Sequence, residues 1–234
     1  MTVTILPSPA EKAATVRGMF DRISGRYDRV NRLLTFNADR RWRSALIDRL
    51  DVSAGDLVLD LACGTGDFAE ACRRRGATVV GVDFSRGMLN RAARRVQADI
   101  RLIQGDALRL PLAADCVTVA VSGFALRNFV DIPPVFAELA RVMAPGARLG
   151  LLEVDEPKNA LVRIGHGLYF NRAVPLLGGL ISGDRAAYRY LPASAAYLPS
   201  QDDLVRALKD AGFRKIRKRS PMLGAIQSID AVRQ

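Results

Sequence analysis

Three carboxylates end three successive short apolar segments of this 234-residue chain. Asp60 closes "LVLD", Asp83 closes "VVGVD" and Asp106 closes "IQGD". Ligands of open α/β sheets bind outside the carboxyl ends of the strands, so neighbouring parallel strands would bring these carboxylates together. Such a row of acceptors suits a ligand that carries hydroxyl groups, a purine edge and a positive charge.

The turn after the first segment reads "CGTGD", with Gly64 and Gly66 on either side of Thr65. It lacks the third glycine of the G-x-G-x-x-G fingerprint that binds a pyrophosphate. The glycines let the backbone approach a ligand closely, and Asp60 is left free to take a cation. Asp83 follows Gly66 by 17 residues, close to the separation at which a carboxylate bonds a nucleotide ribose. An adenosyl ligand with a positive amino-acid tail and no phosphate fits this pattern, and we predict S-adenosylmethionine as the cofactor.

Hydrophobic periodicity predicts the elements that position these groups. Apolar residues recur at helical spacing over residues 16–34, and a second helix is predicted at 40–50. Strands are then predicted at "LVLDLA", "TVVGVD", "IRLIQGD", "VTVAVSG" and "RLGLLEV", with helices at 67–75, 86–96 and 132–143. Two last strands near 214–220 and 226–233 complete an α/β fold with a doubly wound, mostly parallel, seven-stranded sheet.

Residues 157–200 interrupt this alternation with a stretch rich in Pro, Gly and aromatic residues. A long excursion in a compact domain is usually a lid or a substrate wall. We therefore predict an N-terminal helical segment at 1–50, a cofactor-binding core at 51–156, an inserted lid at 157–200, and a return to the core at 201–234 that begins with a helix. The first ten residues, with two prolines and no periodicity, are predicted to be a flexible leader.

Composition narrows the classes of function. The chain has 35 Lys and Arg against 24 Asp and Glu, a net charge of +11 that favours an anionic partner. Its three cysteines have no C-x-x-C spacing and it has one histidine, so we predict neither a disulfide framework nor a metal site. A signal-peptide pattern and a run of about 18 apolar residues are both absent, so we expect a cytoplasmic protein.

Three longer motifs carry a resemblance to a known family. They are "MFDRISGRYDRVNRLLTFNADRRWR" at 19–43, "SGFALRN" at 122–128 and "SGDRAAYRYLPASAAYLPSQDDL" at 182–204. With "DLACGTGD", which many class I methyltransferases share, they make the chain resemble the ubiquinone/menaquinone biosynthesis C-methyltransferases. The resemblance implies the class I, Rossmann-like methyltransferase fold. It also implies C-methylation of a prenylated quinol in menaquinone or ubiquinone biosynthesis, for example of demethylmenaquinol to menaquinol.

The resemblance also implies roles for the residues that match the family motifs. In the cofactor site it places Asp60, Gly64, Thr65, Gly66, Asp83, Phe84, Asp106, Ala107 and Ser122. On the substrate side it places Tyr27, Asn31, Phe124 and Tyr190. Catalysis, through a proton relay or through orientation of the substrate, is expected of Arg127, Asn128 and Tyr188.

Simpler interpretations stay open at several positions. Tyr27 lies on the apolar side of its predicted helix, so packing explains it equally well. Arg127 can instead pair with Asp131 at a helix start, and a lone His166 is more often a packing or surface residue than a base. The basic run at 214–219 is predicted to be a solvated edge strand.

Other functions are also compatible with the sequence. One is methylation of a different aromatic or phenolic metabolite, because the closing stretch "MLGAIQSIDAVRQ" lacks the histidine that the family has there. Another is a non-catalytic quinone-binding scaffold, which would bind no S-adenosylmethionine. The charge suits RNA as well, but the basic residues are spread through helices without the aromatic pattern that stacks bases, so no nucleic-acid partner is expected.

A prenylated quinol resides in the bilayer, and the enzyme must meet it there. Arg22, Arg26 and Arg29 share one side of the first predicted helix, and with the net charge they favour peripheral contact with the anionic inner face of the membrane. The apolar stretch "LYFNRAVPLLGGLI" would give the substrate a dry wall. A homodimer stays open.

Overall fold

The computed structural model describes residues 7–234, and its centre is one β-sheet. The strands are β1 (Leu57–Leu61), β2 (Thr78–Asp83), β3 (Arg101–Gln104), β4 (Val117–Gly123), β5 (Met143–Val154), β6 (Phe213–Arg219) and β7 (Ile226–Arg233). They form a seven-stranded sheet in the order β3-β2-β1-β4-β5-β7-β6. Strands β1 to β5 pair in parallel, and β7 lies antiparallel between β5 and β6. The predicted fold class is confirmed.

Helices cover both faces of the sheet and its carboxyl edge. They are α1 (Pro9–Leu34), α2 (Ala38–Arg49), α3 (Asp67–Arg73), α4 (Arg86–Ala92), α5 (Ile132–Val142), α6 (Ala160–Leu168), α7 (Val174–Ser182), α8 (Arg185–Ala193) and α9 (Gln201–Asp210). A π-helical turn at Tyr169–Ala173 joins α6 to α7, and the backbone stays helical through both junctions. We call this continuous segment, residues 160–182, the lid helix. Within the described residues, no helix is long and apolar enough to cross a membrane.

Two predicted boundaries were wrong. Helix α1 begins at Pro9, inside the predicted flexible leader, because proline at the first position of a helix has a suitable φ and needs no hydrogen bond. Residues 1–6 of that leader lie outside the described part of the chain. Strand β5 begins at Met143, directly after α5 ends, rather than at Arg148 as predicted.

The apolar core has a layer on each face of the sheet. In β1, Leu57, Leu59 and Leu61 belong to the layer that α5 and α9 cover, while Val58, between the first two, belongs to the layer that α2 and α3 cover. This alternation is the period of two that a strand imposes on its side chains. The buried sheet thereby holds the carboxyl ends of its parallel strands at one fixed edge.

A third apolar cluster lies above that edge. It joins α1, through Val16, Met19 and Ile23, to the ring of Tyr188 on α8. The N-terminal helix and the inserted segment therefore pack on each other over the edge of the sheet. The proposed division of the chain at residues 50, 156 and 200 stays a prediction.

Strand β6 is the outer strand beyond β7, as predicted for the basic run. Its pattern alternates between exposed arginine or lysine and the half-buried Ile216 and Lys218. Charged side chains on an outer strand oppose pairing with another chain.

Candidate active site

A cavity of about 780 Å³ lies at the carboxyl ends of β1 to β4. Eight of the residues predicted for the site line it: Tyr27, Gly64, Asp83, Phe84, Asp106, Ala107, Phe124 and Asn128. They come from the four parallel strand ends and from α1, which are far apart in the sequence. We call this space the first cavity.

The GTG turn forms the floor of the first cavity beside β1. Gly64 and Gly66 both have positive φ, of 55° and 85°, in the region that favours glycine. The two glycines differ in their surroundings. A Cβ on Gly66 would lie 2.5 Å from Cγ1 of Val96, whereas a Cβ on Gly64 would meet no atom within 4 Å. Gly66 therefore allows close packing against the protein, and Gly64 keeps the cavity open.

Asp83 connects the turn to the neighbouring strand. Its carboxylate accepts hydrogen bonds from the backbone N–H of Gly64 at 2.7 Å and of Ser85 at 2.8 Å. Burial raises the pKa of Asp83 to about 6, and the N–H groups of Ser85 and Gly64 oppose that rise. Each carboxylate oxygen accepts one of these bonds and keeps a lone pair for a ligand.

Four predicted cofactor residues do not line the first cavity: Asp60, Thr65, Gly66 and Ser122. Asp60 was expected to be free for a cation, but it is buried and accepts a hydrogen bond from the N–H of Ala69 at 2.8 Å. This hydrogen bond ties β1 to the start of α3. Burial raises the pKa of Asp60 to about 8. The hydroxyl of Ser122 donates to the carbonyl of Leu61 at 2.8 Å and ties β4 to β1. These side chains support the site from behind.

Helix α1 closes the other side of the first cavity. Its Asp21 accepts hydrogen bonds from the hydroxyl of Ser85 at 2.6 Å and from the N–H of Gly87 at 2.8 Å. Its Asp28 accepts a bond from the hydroxyl of Thr65 at 2.5 Å. One helix thus holds the loops that follow both β1 and β2. The two aspartates are seven residues apart and so lie on one side of the helix. This spacing was the only feature of the sequence that could have indicated their contacts with the two loops.

A second cavity, of about 130 Å³, adjoins the first. Tyr27 and Phe124 line both cavities and separate them. The second cavity is lined mostly by apolar and aromatic side chains. Five residues predicted for the substrate side or for catalysis are among its lining: Tyr27, Asn31, Phe124, Arg127 and Tyr188. Its walls come from α1, the lid helix, α8 and the turn before β7.

Arg127 is fixed by a carboxylate that the sequence did not indicate. Its guanidinium contacts the carboxylate of Glu153, and the two side chains are 7% and 1% exposed. Glu153 also accepts a hydrogen bond from the N–H of Val154 at 2.8 Å. The alternative pairing of Arg127 with Asp131 is wrong, because the end of β5 brings Glu153 closer. A buried pair of this kind holds the guanidinium in place.

Two hydrogen-bond donors beside the second cavity have no partner. Among the described residues, the buried side-chain polar atoms without a hydrogen bond are Nε of Arg91, Nε of Arg127 and the hydroxyl of Tyr188. The last two belong to residues that line the second cavity. A buried donor left without an acceptor is unfavourable, so two of them at one apolar cavity point to a ligand that carries oxygen atoms.

The remaining predicted residues have distinct positions. Tyr190 lines neither cavity, and its hydroxyl lies 3.5 Å from Oδ1 of Asn128, which lines the first one. His166 lines the second cavity and stacks on Phe170 with ring centroids 5.2 Å apart. Burial lowers the pKa of His166, so it is neutral at neutral pH. From the sequence we predicted a surface or packing role for His166, because no residue near it in the chain indicated the cavity.

This sheet order, with a cavity at the carboxyl ends of β1 to β4, defines a class I methyltransferase fold. Solved structures share it. Magnesium protoporphyrin IX methyltransferase from Synechocystis, with bound S-adenosylhomocysteine, superposes with a TM-score of 0.68 at 20% identity over 94% of this chain and 99% of that one. A SAM-dependent methyltransferase from Thermotoga maritima gives a TM-score of 0.66 at 16% identity over 93% and 99%.

The chain belongs to the ubiE/COQ5 methyltransferase family, whose model matches residues 9–232. It is 45% identical to a demethylmenaquinone methyltransferase of Thermus thermophilus over 83% of this chain and 91% of that one. It is 41% identical to a ubiquinone/menaquinone biosynthesis C-methyltransferase of Syntrophotalea carbinolica over 87% of each. The predicted family is confirmed, and with it an S-adenosylmethionine-dependent methyltransferase.

The two glycines of the turn allow a matched test of stability. Gly66→Ala should lower the free energy of unfolding by about 2–4 kcal/mol, since it adds the overlap with Val96 to the strain of positive φ. Gly64→Ala should lower it by about 1–2 kcal/mol, from the strain alone. Urea unfolding followed by circular dichroism measures both. Equal losses for the two variants would contradict the packing role given to Gly66.

Proposed function

We propose that this methyltransferase transfers a methyl group from S-adenosylmethionine to a ring carbon of a prenylated quinol, converting demethylmenaquinol to menaquinol. The relatives named above support the substrate class. The observation that carries the proposal is the pair of unpartnered donors, on Arg127 and Tyr188, beside an apolar cavity that adjoins the first one. A quinol ring combines the apolar faces and the oxygen atoms that such a cavity requires.

The first cavity fits the methyl donor. Its volume is in the range of small-molecule sites, and the position of Gly64 leaves open space where any larger residue would place a Cβ. Asp83 would accept hydrogen bonds from the ribose hydroxyls, and Asp106 with Ala107 would lie at the adenine. When bound, S-adenosylmethionine supplies a methyl group activated by its sulfonium. Asp60, Thr65, Gly66 and Ser122 would act by shaping the floor of this site.

The second cavity would hold the quinol ring. Nε of Arg127 and the hydroxyl of Tyr188 would donate hydrogen bonds to ring oxygens and stabilise the phenolate that forms when a ring hydroxyl loses its proton. The negative charge of that phenolate makes the ring carbons nucleophilic. Burial raises the pKa of Tyr188, so it remains a donor. His166, which is neutral, is available to take up the proton of a ring hydroxyl. The apolar walls exclude water, which favours a step in which the charge of the sulfonium disappears.

The remaining catalytic and substrate residues would position these groups. Asn128 lines the first cavity and would orient the ring relative to the methyl donor, with Tyr190 behind it. Tyr27 and Phe124, which line both cavities, would form the passage between donor and acceptor. Asn31 lines the second cavity on the side of α1.

The proposal places the enzyme in the cytoplasm, in peripheral contact with an anionic membrane. Arg22, Arg26 and Arg29 are exposed on α1, and the net charge of the chain is +11. Each basic residue near an anionic surface contributes about 1 kcal/mol of attraction. A homodimer stays a prediction.

A panel of acceptors tests the proposed function. We expect methyl transfer from labelled S-adenosylmethionine to demethylmenaquinol in detergent, with simple phenols turned over at least 100-fold less efficiently, because a phenol lacks the second ring oxygen. Mass spectrometry of the product would place the new methyl group on carbon. A phenol that outperforms demethylmenaquinol would establish the alternative, a methyltransferase of another aromatic metabolite.

The pKa of Asp83 predicts how cofactor affinity depends on pH. Protonation below about pH 6 removes an acceptor for the ribose, so S-adenosylmethionine should bind about tenfold more weakly at pH 5 than at pH 7. The carboxyl and amino groups of the cofactor titrate outside this window. Calorimetry should show weak, pH-independent binding for Asp83→Asn. Asp60→Asn is the matched control, and it should keep the transition near pH 6.

Removing one hydroxyl tests the role of Tyr188. Tyr188→Phe keeps the ring that packs in the third cluster, so it should lower kcat about 100-fold while the affinity for S-adenosylmethionine is unchanged. Tyr197→Phe, whose hydroxyl donates to the carbonyl of Pro7 outside both cavities, is the control and should retain most activity. If the two variants lose activity equally, the donor role assigned to Tyr188 is wrong.

A further inference from the structure

The lid helix exposes a row of large apolar side chains to solvent. In α6 these are Leu161, Ile164 and Leu168, which are 80%, 70% and 58% exposed and share one side of the helix. In α7 the row continues with Leu176, Leu177, Leu180 and Ile181. We call these seven residues the outer row. Large apolar side chains exposed in this number on one segment mark a site of interaction.

The opposite side of the lid helix is apolar as well, and it is packed on the protein. Val174 is 4% exposed, and Gly178 lies against the ring of Tyr188 so closely that a Cβ there would overlap it. The outer side of a surface helix is ordinarily polar, so an apolar outer side opposite a packed inner side indicates a second apolar partner. The protein covers the inner side, and the outer row requires a second apolar partner.

More exposed apolar side chains surround the second cavity. Of the 13 large apolar side chains that are exposed in the described part of the chain, seven form the outer row and four others are Leu33, Phe36, Met222 and Leu223. Met222 lines the second cavity and is 53% exposed, so the cavity reaches the surface there. The hydroxyl of Tyr169 in the lid helix donates to the carbonyl of Leu34 at 2.7 Å, which brings the end of α1 to the lid helix. The apolar surface therefore adjoins the mouth of the proposed quinol site.

Positive charge accompanies this surface. The inserted segment, residues 157–200, has five Lys and Arg and one Asp. Arg163 and Arg172 are exposed on the lid helix, and Arg163 lies 3.7 Å from the exposed Glu156. The one aspartate, Asp184, pairs with Arg22 of α1 at 3.0 Å. An amphipathic helix with an apolar side and basic residues beside it binds in the interface of an anionic bilayer.

We infer that the lid helix lies in the plane of an anionic membrane, with the outer row inserted among the acyl chains and the second cavity opening toward the lipid. The inference rests on the proposed function, because it makes this opening the route by which a prenylated quinol enters from the bilayer. The isoprenoid tail would remain in the lipid beside Met222 and the outer row while the ring occupies the cavity. The partner is thus a lipid surface, and the site it serves is the quinol site.

The test combines vesicle flotation with two substrates. The variant Leu161→Gln/Ile164→Gln/Leu168→Gln should bind vesicles of phosphatidylglycerol and phosphatidylcholine at least tenfold more weakly than the wild type, because interfacial binding scales with inserted apolar area. Its turnover of demethylmenaquinol presented in those vesicles should fall similarly. Its turnover of an unprenylated naphthoquinol in solution should equal that of the wild type, since these side chains do not line either cavity.

A second variant and a charge control keep the test independent of one set of substitutions. Leu176→Gln/Leu180→Gln changes the other half of the outer row. It should likewise lower turnover of demethylmenaquinol in vesicles and leave turnover of the soluble naphthoquinol unchanged. Arg163→Gln/Arg172→Gln should weaken flotation, whereas Arg214→Gln/Arg219→Gln, with the same change of net charge on the exposed edge strand β6, should not. Unchanged thermal unfolding establishes that each variant is folded.

The outcomes separate the inference from the proposed function. Wild-type flotation by both outer-row variants would overturn the membrane inference. The membrane inference would also be overturned if the variants bind vesicles normally but change from dimer to monomer in analytical ultracentrifugation. In that case the outer row joins two copies of the chain. A wild-type enzyme that binds vesicles through the outer row but methylates neither quinol would leave the membrane surface established and reject the proposed function.

Discussion

The hydrogen bond from Gly64 to Asp83 is the contact on which the arrangement of the site depends. It joins the turn after β1 to the end of β2, and it forms only because the parallel pairing of these strands places their ends side by side. The turn can present its N–H there because Gly64 adopts a positive φ that is costly for other residues. The carboxylate of Asp83 is buried in this position, and burial raises its pKa. The position of each loop is therefore defined by the other.

Helix α1 adds a second level of constraint to the same loops. Asp21 and Asp28 accept hydrogen bonds from both of them, and Arg95 of the segment after α4 approaches Asp28 to 3.1 Å. Buried or half-buried charges are stable when they are paired in this way, and removal of one partner leaves the other uncompensated. Residues of α1 line the first cavity, so a cofactor bound there would contact this helix. The N-terminal helix thus lines both cavities.

The local sequence pattern was sufficient to predict the strands of the sheet, but not the position of every side chain in the site. The strands alternate and end in polar residues, so Asp83 and Asp106 could be placed at the cavity from the sequence. The same rule misplaced Asp60, because a carboxylate at a strand end can point into the cavity or under the following turn, and periodicity does not distinguish the two. Glu153 was missed for a related reason. Its partner Arg127 is 26 residues away, and their contact depends on the pairing of β4 with β5.

The unpartnered donors of the second cavity explain why the substrate should be apolar and yet carry oxygen. Each buried donor without an acceptor costs about 1–3 kcal/mol, and no described side chain accepts a hydrogen bond from either of them. A strongly polar metabolite would satisfy the donors but would lose its own hydration at those walls. A hydrocarbon would fit the walls and leave the donors unsatisfied. A quinol satisfies both requirements. A prenylated quinol imposes a third one, because its long apolar tail must leave the cavity into an apolar medium. The exposed side chains around Met222 and along the lid helix meet that third requirement at the place where the cavity reaches the surface.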